Sequence, residues 1–203
     1  CLSLYTDEAE FKADRDHIEI LERFGFPYEV IGRQAIKALE PELSDRIGLA
    51  VLFPQNRTMK DPYKLVLALA DRFGAMGGRF EKGEVAGFVR GERIREVVLK
   101  DGRRLPADEV VICAGAYSAK LAKDLGEPIP LETERGYHTQ IMAPGITMKH
   151  SIIWPARAFM VSPTAGGIRV GGTVEMAGLD AAPDYRRSRI TVRRAREALP
   201  NLK

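Results

Sequence analysis

The stretch "DEVVICAGAYSAKLAKDLG", residues 108–126, decides how the rest of the chain is read. Asp108 and Glu109 lead into a continuous apolar run ending at Cys113, the pattern of a strand buried on both faces. Gly115 supplies a bend, and residues 117–125 are spaced as a helix that Gly126 closes. A strand passing through a glycine bend into a helix is one way a fold delivers backbone to a nucleotide. Such a site ordinarily opens on G-x-G-x-x-G. Of the 19 glycines here, no two are separated by a single residue, so that fingerprint occurs nowhere in these residues. A Walker A sequence is missing as well. The segment predicts part of an α/β nucleotide site without its phosphate-binding turn.

Upstream, "DPYKLVLALADRFGAMGG" (61–78) predicts a helix capped by Asp61, with Pro62 in its first turn and Gly77 beyond its end. "RFEKGEVAGFVR" (79–90) and "RIREVVLKDGRRL" (93–105) predict strands, and Asp101-Gly102 a hairpin turn. Nearer the start, "CLSLY" predicts a strand and Thr6 a helix cap; Phe11, Ile18 and Leu21 form the apolar face, and Gly25 is the stop. "RQAIKALEPEL" (33–43) reads as a short helix broken at Pro41, and "IGLAVLFP" (47–54) as a buried strand. Beyond residue 125 the character changes. "LETERGYHTQIMA", "SIIWPA", "AFMVSP" and "IRVGGTVE" alternate as antiparallel strands, with "GGIRVGG" (166–172) read as a tight hairpin. "PDYRRSRITVRRAREALP" (183–200) is an Arg-rich amphipathic helix with Ile190, Val192, Ala195 and Leu199 turned partly inward.

These elements fall into three blocks. Residues 1–53 and 121–203 are expected to form one discontinuous domain, and 54–120 a part of another. The fold class expected is α/β (α+β): an antiparallel-sheet domain interrupted by an inserted piece of a Rossmann-like domain. The chain starts at Cys1 inside a strand and stops just after a helix, so it reads as a piece of a longer polypeptide.

Composition excludes several classes. A hydrophobic content of 45% with 29% charged residues fits a globular protein. A net charge of +3, and six helix arginines (186, 187, 189, 193, 194, 196) without interleaved aromatics, do not make a nucleic-acid surface. No apolar run reaches membrane-helix length. Two cysteines and three histidines give neither a disulfide framework nor zinc spacing, which suggests a reducing, cytoplasmic setting. Ser118 lies outside a nucleophile-elbow pattern, and the scattered carboxylates form no pair; no catalytic side chain is nominated.

Five stretches, in order, carry a resemblance to a known family: "KDPYKLVLALADRFGAMGGRF" (60–80), "GEV" (83–85), "EVVICAGAYSAKLAKDLG" (109–126), "IPLETERGYHTQI" (129–141) and "GGIRVGGTVEMAGLD" (166–180). The chain resembles the FAD-dependent D-amino-acid oxidase/dehydrogenase family, which includes glycine oxidase and bacterial D-amino-acid dehydrogenase. "AGAYS" (114–118) matches the family pattern A-G-x-W-S with Tyr in place of Trp. The resemblance implies FAD as cofactor and a small amine or amino acid as substrate, oxidised at the carbon bearing nitrogen. It also implies that the substrate domain is the sheet that roofs the flavin, and that a fingerprint-bearing segment precedes this one in the parent. A non-catalytic module that has lost its cofactor site is the alternative. A peripheral membrane association of the parent, its electron acceptor and its oligomeric state are left open.

The resemblance places cofactor contacts at Val85, Ala114, Gly115, Tyr117 and Ser118, with Gly115 equally able to serve a plain strand-to-helix turn. Substrate contacts fall on Trp154, Tyr137, His138 and Arg157. Trp154 can also be core, and His138 a hydrogen-bonded sheet residue. A carboxylate substrate calls for a guanidinium, for which Arg157 and Arg135 are the candidates. Where glycine oxidase-like members carry an Arg after the strand corresponding to "FMVSP", this chain has Pro163. Cys113 is read as strand filling.

Overall fold

The computed structural model describes all 203 residues. The chain separates into two units: residues 1–64, 135–175 and 182–203 form one, and residues 65–134 with 176–181 form the other. Both joins lie further along the chain than the composition changes at 53 and 120 indicate.

The first unit is built on seven strands in the order β2-β3-β1-β8-β9-β10-β7. These are β1 (Leu2–Tyr5), β2 (Glu29–Gly32), β3 (Leu49–Leu52), β7 (Arg135–Ile141), β8 (Ile152–Trp154), β9 (Phe159–Thr164) and β10 (Gly167–Glu175). All pairings are antiparallel except β1 with β8. Period-two alternation sends Leu2, Leu4, Ala50, Ile152, Val161, Ile168 and Val170 to one face. There they meet Ile36 of α3 (Arg33–Leu39) and Ala195, Ala198 and Leu199 of α6 (Arg186–Ala198) and its end. Each fully buried aliphatic side chain contributes roughly 1.5–3 kcal/mol. On the opposite face a smaller core gathers Tyr5, Val51 and Phe53 under Ile18. Its cover is the helix pair α1 (Glu8–Ala13) and α2 (Arg15–Arg23). Burial and a 2.8 Å hydrogen bond to Asp14 push the Tyr5 phenol well above the ordinary tyrosine range.

The helix ends follow their cap chemistry, with one correction. The cap of α1 is Asp7, whose Oδ1 accepts the Glu10 N–H at 2.9 Å, and not Thr6. Thr6 is instead the residue whose own N–H donates to Glu10 Oε2, at 2.6 Å, which completes a capping box shifted by one position. At α6, Asp184 accepts the Arg186 N–H at 3.0 Å, and hydrogen bonds from the Arg186 guanidinium pull its carboxyl down to about 2.

The second unit holds most of α4 (Pro62–Ala75), a three-stranded antiparallel sheet of β4 (Val85–Arg90), β5 (Ile94–Leu99) and β6 (Arg104–Pro106), and α5 (Ser118–Asp124). Gly102, at φ +88°, makes the expected turn after Asp101. One expectation fails. "EVVICAG" forms no strand, and Val111 is 84% exposed. A strand is defined by a hydrogen-bonded neighbour, and no strand of these 203 residues runs beside it. "GGIRVGG" does supply a tight hairpin at its start: Ala165 and Gly166 form the two-residue turn, and Gly167 opens β10 opposite Thr164, whereas Gly171 and Gly172 lie inside β10 at a register shift. Helix α4 buries none of its residues; Leu65, Val66, Leu69 and Phe73 are 44–61% exposed. No helix is long and apolar enough to cross a membrane.

Candidate functional site

In the second unit, the β4–β5 pairing and the turn after residue 113 bring Val85, Ala114 and Tyr117 to one cavity of about 590 Å³. Val85 opens β4 opposite Leu99, and the Lys100 N–H donates to the Glu84 carbonyl at 2.8 Å, which holds that end of the sheet. Gly115 takes φ +55° and starts a single 3-10 turn, Gly115–Tyr117, that runs into α5. A side chain would be strained there. Ala86 and Leu121 add apolar wall; Lys100 and Lys120 add cations, with Lys100 paired to Glu84. Gly115 and Ser118 shape this turn without lining the cavity. Cys113, expected to fill a strand, is exposed.

In the first unit, α1 and α2 cover only the β1–β3 end of their face. The remainder, across β7, β9 and β10, is open. A pocket of about 380 Å³ lies on it, bordered by His138, Met160, Ser162, Arg169 and Gly171. The registers explain the grouping. Gly171 pairs with His138 on one side and Met160 on the other, and Arg169 pairs with Gln140 and Ser162. These residues are out of phase with the buried Val161, Ile168 and Val170. Gly136, also bordering the pocket, would carry a Cβ with nothing within 4 Å.

Of the substrate residues expected from the sequence, His138 lies on this open face, exposed. Trp154 does not. It is completely buried against Phe159, its indole N–H donating to Glu10 Oε2 at 3.1 Å, so it offers no surface to a ligand. Tyr137 borders the pocket, but its phenol is committed elsewhere: it donates to Glu175 and accepts the Asp184 N–H at 2.8 Å. Arg157 stacks over Trp154, 5.3 Å from the ring centroid, and pairs with Glu197 at 3.1 Å. Arg135 pairs with Glu175. Core packing and internal ion pairs therefore account for Trp154, Tyr137, Arg157 and Arg135. Met160, Ser162 and Arg169 were missed, although the alternation in "FMVSP" and "IRVGG" carries their phase.

A family model described as FAD dependent oxidoreductase (DAO) matches residues 1–203. The chain belongs to this FAD dependent oxidoreductase family. It is 34% identical over 169 residues to a D-amino-acid oxidase of Bradyrhizobium diazoefficiens, covering 83% of this chain and 40% of that protein. It is 34% identical over 184 residues to a D-amino acid dehydrogenase of Sinorhizobium medicae, covering 87% and 44%. Among solved structures, glycine oxidase from Bacillus cereus superposes with a TM-score of 0.83 at 20% identity, covering 98% of this chain and 56% of that one. L-proline dehydrogenase from P. horikoshii gives 0.81 at 24% identity, covering 98% and 55%. The fold is thus the mixed α/β fold of these flavoenzymes, and the chain spans less than half the length of the curated relatives it matches.

FAD suits the cavity of the second unit. Apolar walls and an aromatic ring at Tyr117 match a planar base, and Lys120 matches the charge of a pyrophosphate, Lys100 being offset by Glu84.

Proposed function

We propose that this chain is part of an FAD-dependent enzyme that oxidises D-amino acids or related amines. The observation that carries the reading is the convergence on one cavity of Val85 with Ala114 and Tyr117, about thirty residues further along the chain. They are three of the five positions that family resemblance marks for the cofactor. Val85, Ala114 and Tyr117 would hold FAD, which would supply the two-electron oxidant for the carbon that bears nitrogen. The resulting imine hydrolyses in water. Val85, Ala114 and Leu121 exclude water from the base; Tyr117 offers it a ring face; Lys120 offsets phosphate charge. The open face around His138 and Met160 receives the substrate and orients it. No side chain of this chain has to act as acid or base. The free thiols Cys1 and Cys113 suit a reducing, cytoplasmic setting.

The test is made on the full-length gene product. It is expected to purify yellow, and its flavin absorbance to bleach anaerobically with a D-amino acid. A colourless product, or a flavin that no D-amino acid, glycine, sarcosine or proline reduces, would overturn the reading in favour of a non-catalytic module. For the 203-residue chain alone, weak FAD binding is expected in equilibrium dialysis; tight binding would refute that part.

A further inference from the structure

We propose that the free edge of β2 joins the same edge of a second copy of this chain, making a two-fold dimer through an antiparallel β2–β2 pair. The proposal is independent of cofactor and substrate. β2 ends the seven-strand order, with β3 on one side and no strand on the other. The backbone of residues 29–31 makes no hydrogen bond beyond the β2–β3 ladder. That ladder is regular, with no bulge to turn the edge away, and β2 contains neither proline nor lysine. Such an edge is a template for another strand.

Apolar surface accompanies it. Val30 pairs with Val51 and so lies on the face that α2 covers, whereas Ile31 pairs with Ala50 and lies on the α3 side. The chain leading from α2 into β2 leaves its apolar side chains in water: Ile20, Phe24, Phe26 and Val30 are 48–66% exposed. With the strand itself, covering these groups on two copies removes about 1,000 Å² from water, the lower bound of a specific interface. Association at micromolar concentrations follows.

Charge selects the partner and the register. Glu29 and Arg33 stand at opposite ends of β2, exposed, and neither makes an ion pair or a side-chain hydrogen bond within the chain; Arg33 acts only at longer range, on Asp45. In an antiparallel pair centred on Ile31, Glu29 of each copy faces Arg33 of the other, giving two opposite-charge pairs. An edge with opposite charges at its two ends is complementary to its own two-fold copy. In the same register Val30 of one copy lies opposite Gly32 of the other, where a Cβ would meet nothing within 4 Å. The missing side chain there leaves room for the partner's valine.

The test is sedimentation velocity on the flavin-loaded full-length protein over a micromolar concentration series, in which a concentration-dependent dimer is expected. Glu29→Arg and Arg33→Glu each set like charges opposite one another at both ends of the pair. Each is expected to weaken association at least about tenfold. An equimolar mixture of the two variants restores both charge pairs and is expected to associate within about threefold of wild type, as is the double variant Glu29→Arg/Arg33→Glu. Both positions are exposed, and an unchanged urea midpoint shows that each variant is folded. A protein that stays monomeric across the series would overturn the proposal, because a different protein or a further segment of the parent then owns this edge. So would a dimer that survives both single reversals, or a mixture that does not recover. None of these results touches the oxidase reading, which flavin reduction tests separately.

Discussion

Glu40 follows the last residue of α3, is 1% exposed, and gathers three donors on one oxygen. Its Oε1 accepts the backbone N–H of Lys149 at 2.8 Å, that of His150 at 2.6 Å, and lies 2.8 Å from His150 Nδ1. The carboxylate therefore ties the segment just before β8 to the helix, across more than a hundred residues of sequence. Glu40→Ala strands two backbone donors in a partly buried place, and each costs about 1–3 kcal/mol. Because Lys149 is exposed and water can reach its side, the lower half of the sum applies, about 2–4 kcal/mol. Glu40→Gln keeps an acceptor oxygen and loses only charge assistance, about 1 kcal/mol. Trp154 is the sole tryptophan and shares a core with Ile36 and Leu43, which flank Glu40. Its fluorescence therefore reports unfolding of the right unit. With a urea slope of about 1–3 kcal/mol/M, the alanine midpoint should fall by about 1–2 M, and the glutamine midpoint by less than half of that. An alanine midpoint indistinguishable from wild type, at unchanged slope, would refute the tethering role.

Glycines of one strand region should behave oppositely. Gly136→Val points into open space and should leave the urea midpoint within a few tenths of a molar. Gly172→Ala places a Cβ 2.4 Å from the Ala158 carbonyl oxygen and should lower the midpoint instead, by the overpacking cost of about 1–3 kcal/mol; the same urea titration checks both. A third expectation concerns pH. Because folding raises the Tyr5 pKa, its stabilising effect is complete below the unfolded value near 10 and is lost as pH rises above it. In tyrosinate absorbance titrations Tyr5 should therefore ionise last, together with unfolding. An unchanged final step in Tyr5→Phe would rule this out.

Local chemistry made much of the fold legible. Asp61, Pro62 and Gly77 bracket α4 because capping is decided within a turn, and the Lys64 N–H does donate to Asp61 at 3.1 Å. Alternation likewise marks β7, β9 and β10. Two things were not readable. "EVVICAG" has the composition of a strand, but pairing is a property of neighbours, and the run alone cannot supply one. Trp154 and Arg157 looked like ligand contacts because aromatic and guanidinium groups serve cores and sites equally well. Only the location of Glu10, Phe159 and Glu197 shows which role applies. His138 and Arg169 differ from them by phase, which becomes informative once one face is known to be covered.

Strand β1 has a kinetic consequence. It lies between β3, about fifty residues downstream, and β8, about a hundred and fifty downstream. Its first pairing can form early in synthesis, whereas its second must wait until residues 65–134 of the second unit have been made. Closing so long a loop adds only about 0.6 kcal/mol per doubling of length, yet non-local pairing slows folding far more than it weakens the product. During that interval one edge of β1 carries unsatisfied backbone groups, and Leu2 and Leu4 lack most of their final cover. The newborn chain is then most prone to join another copy of itself.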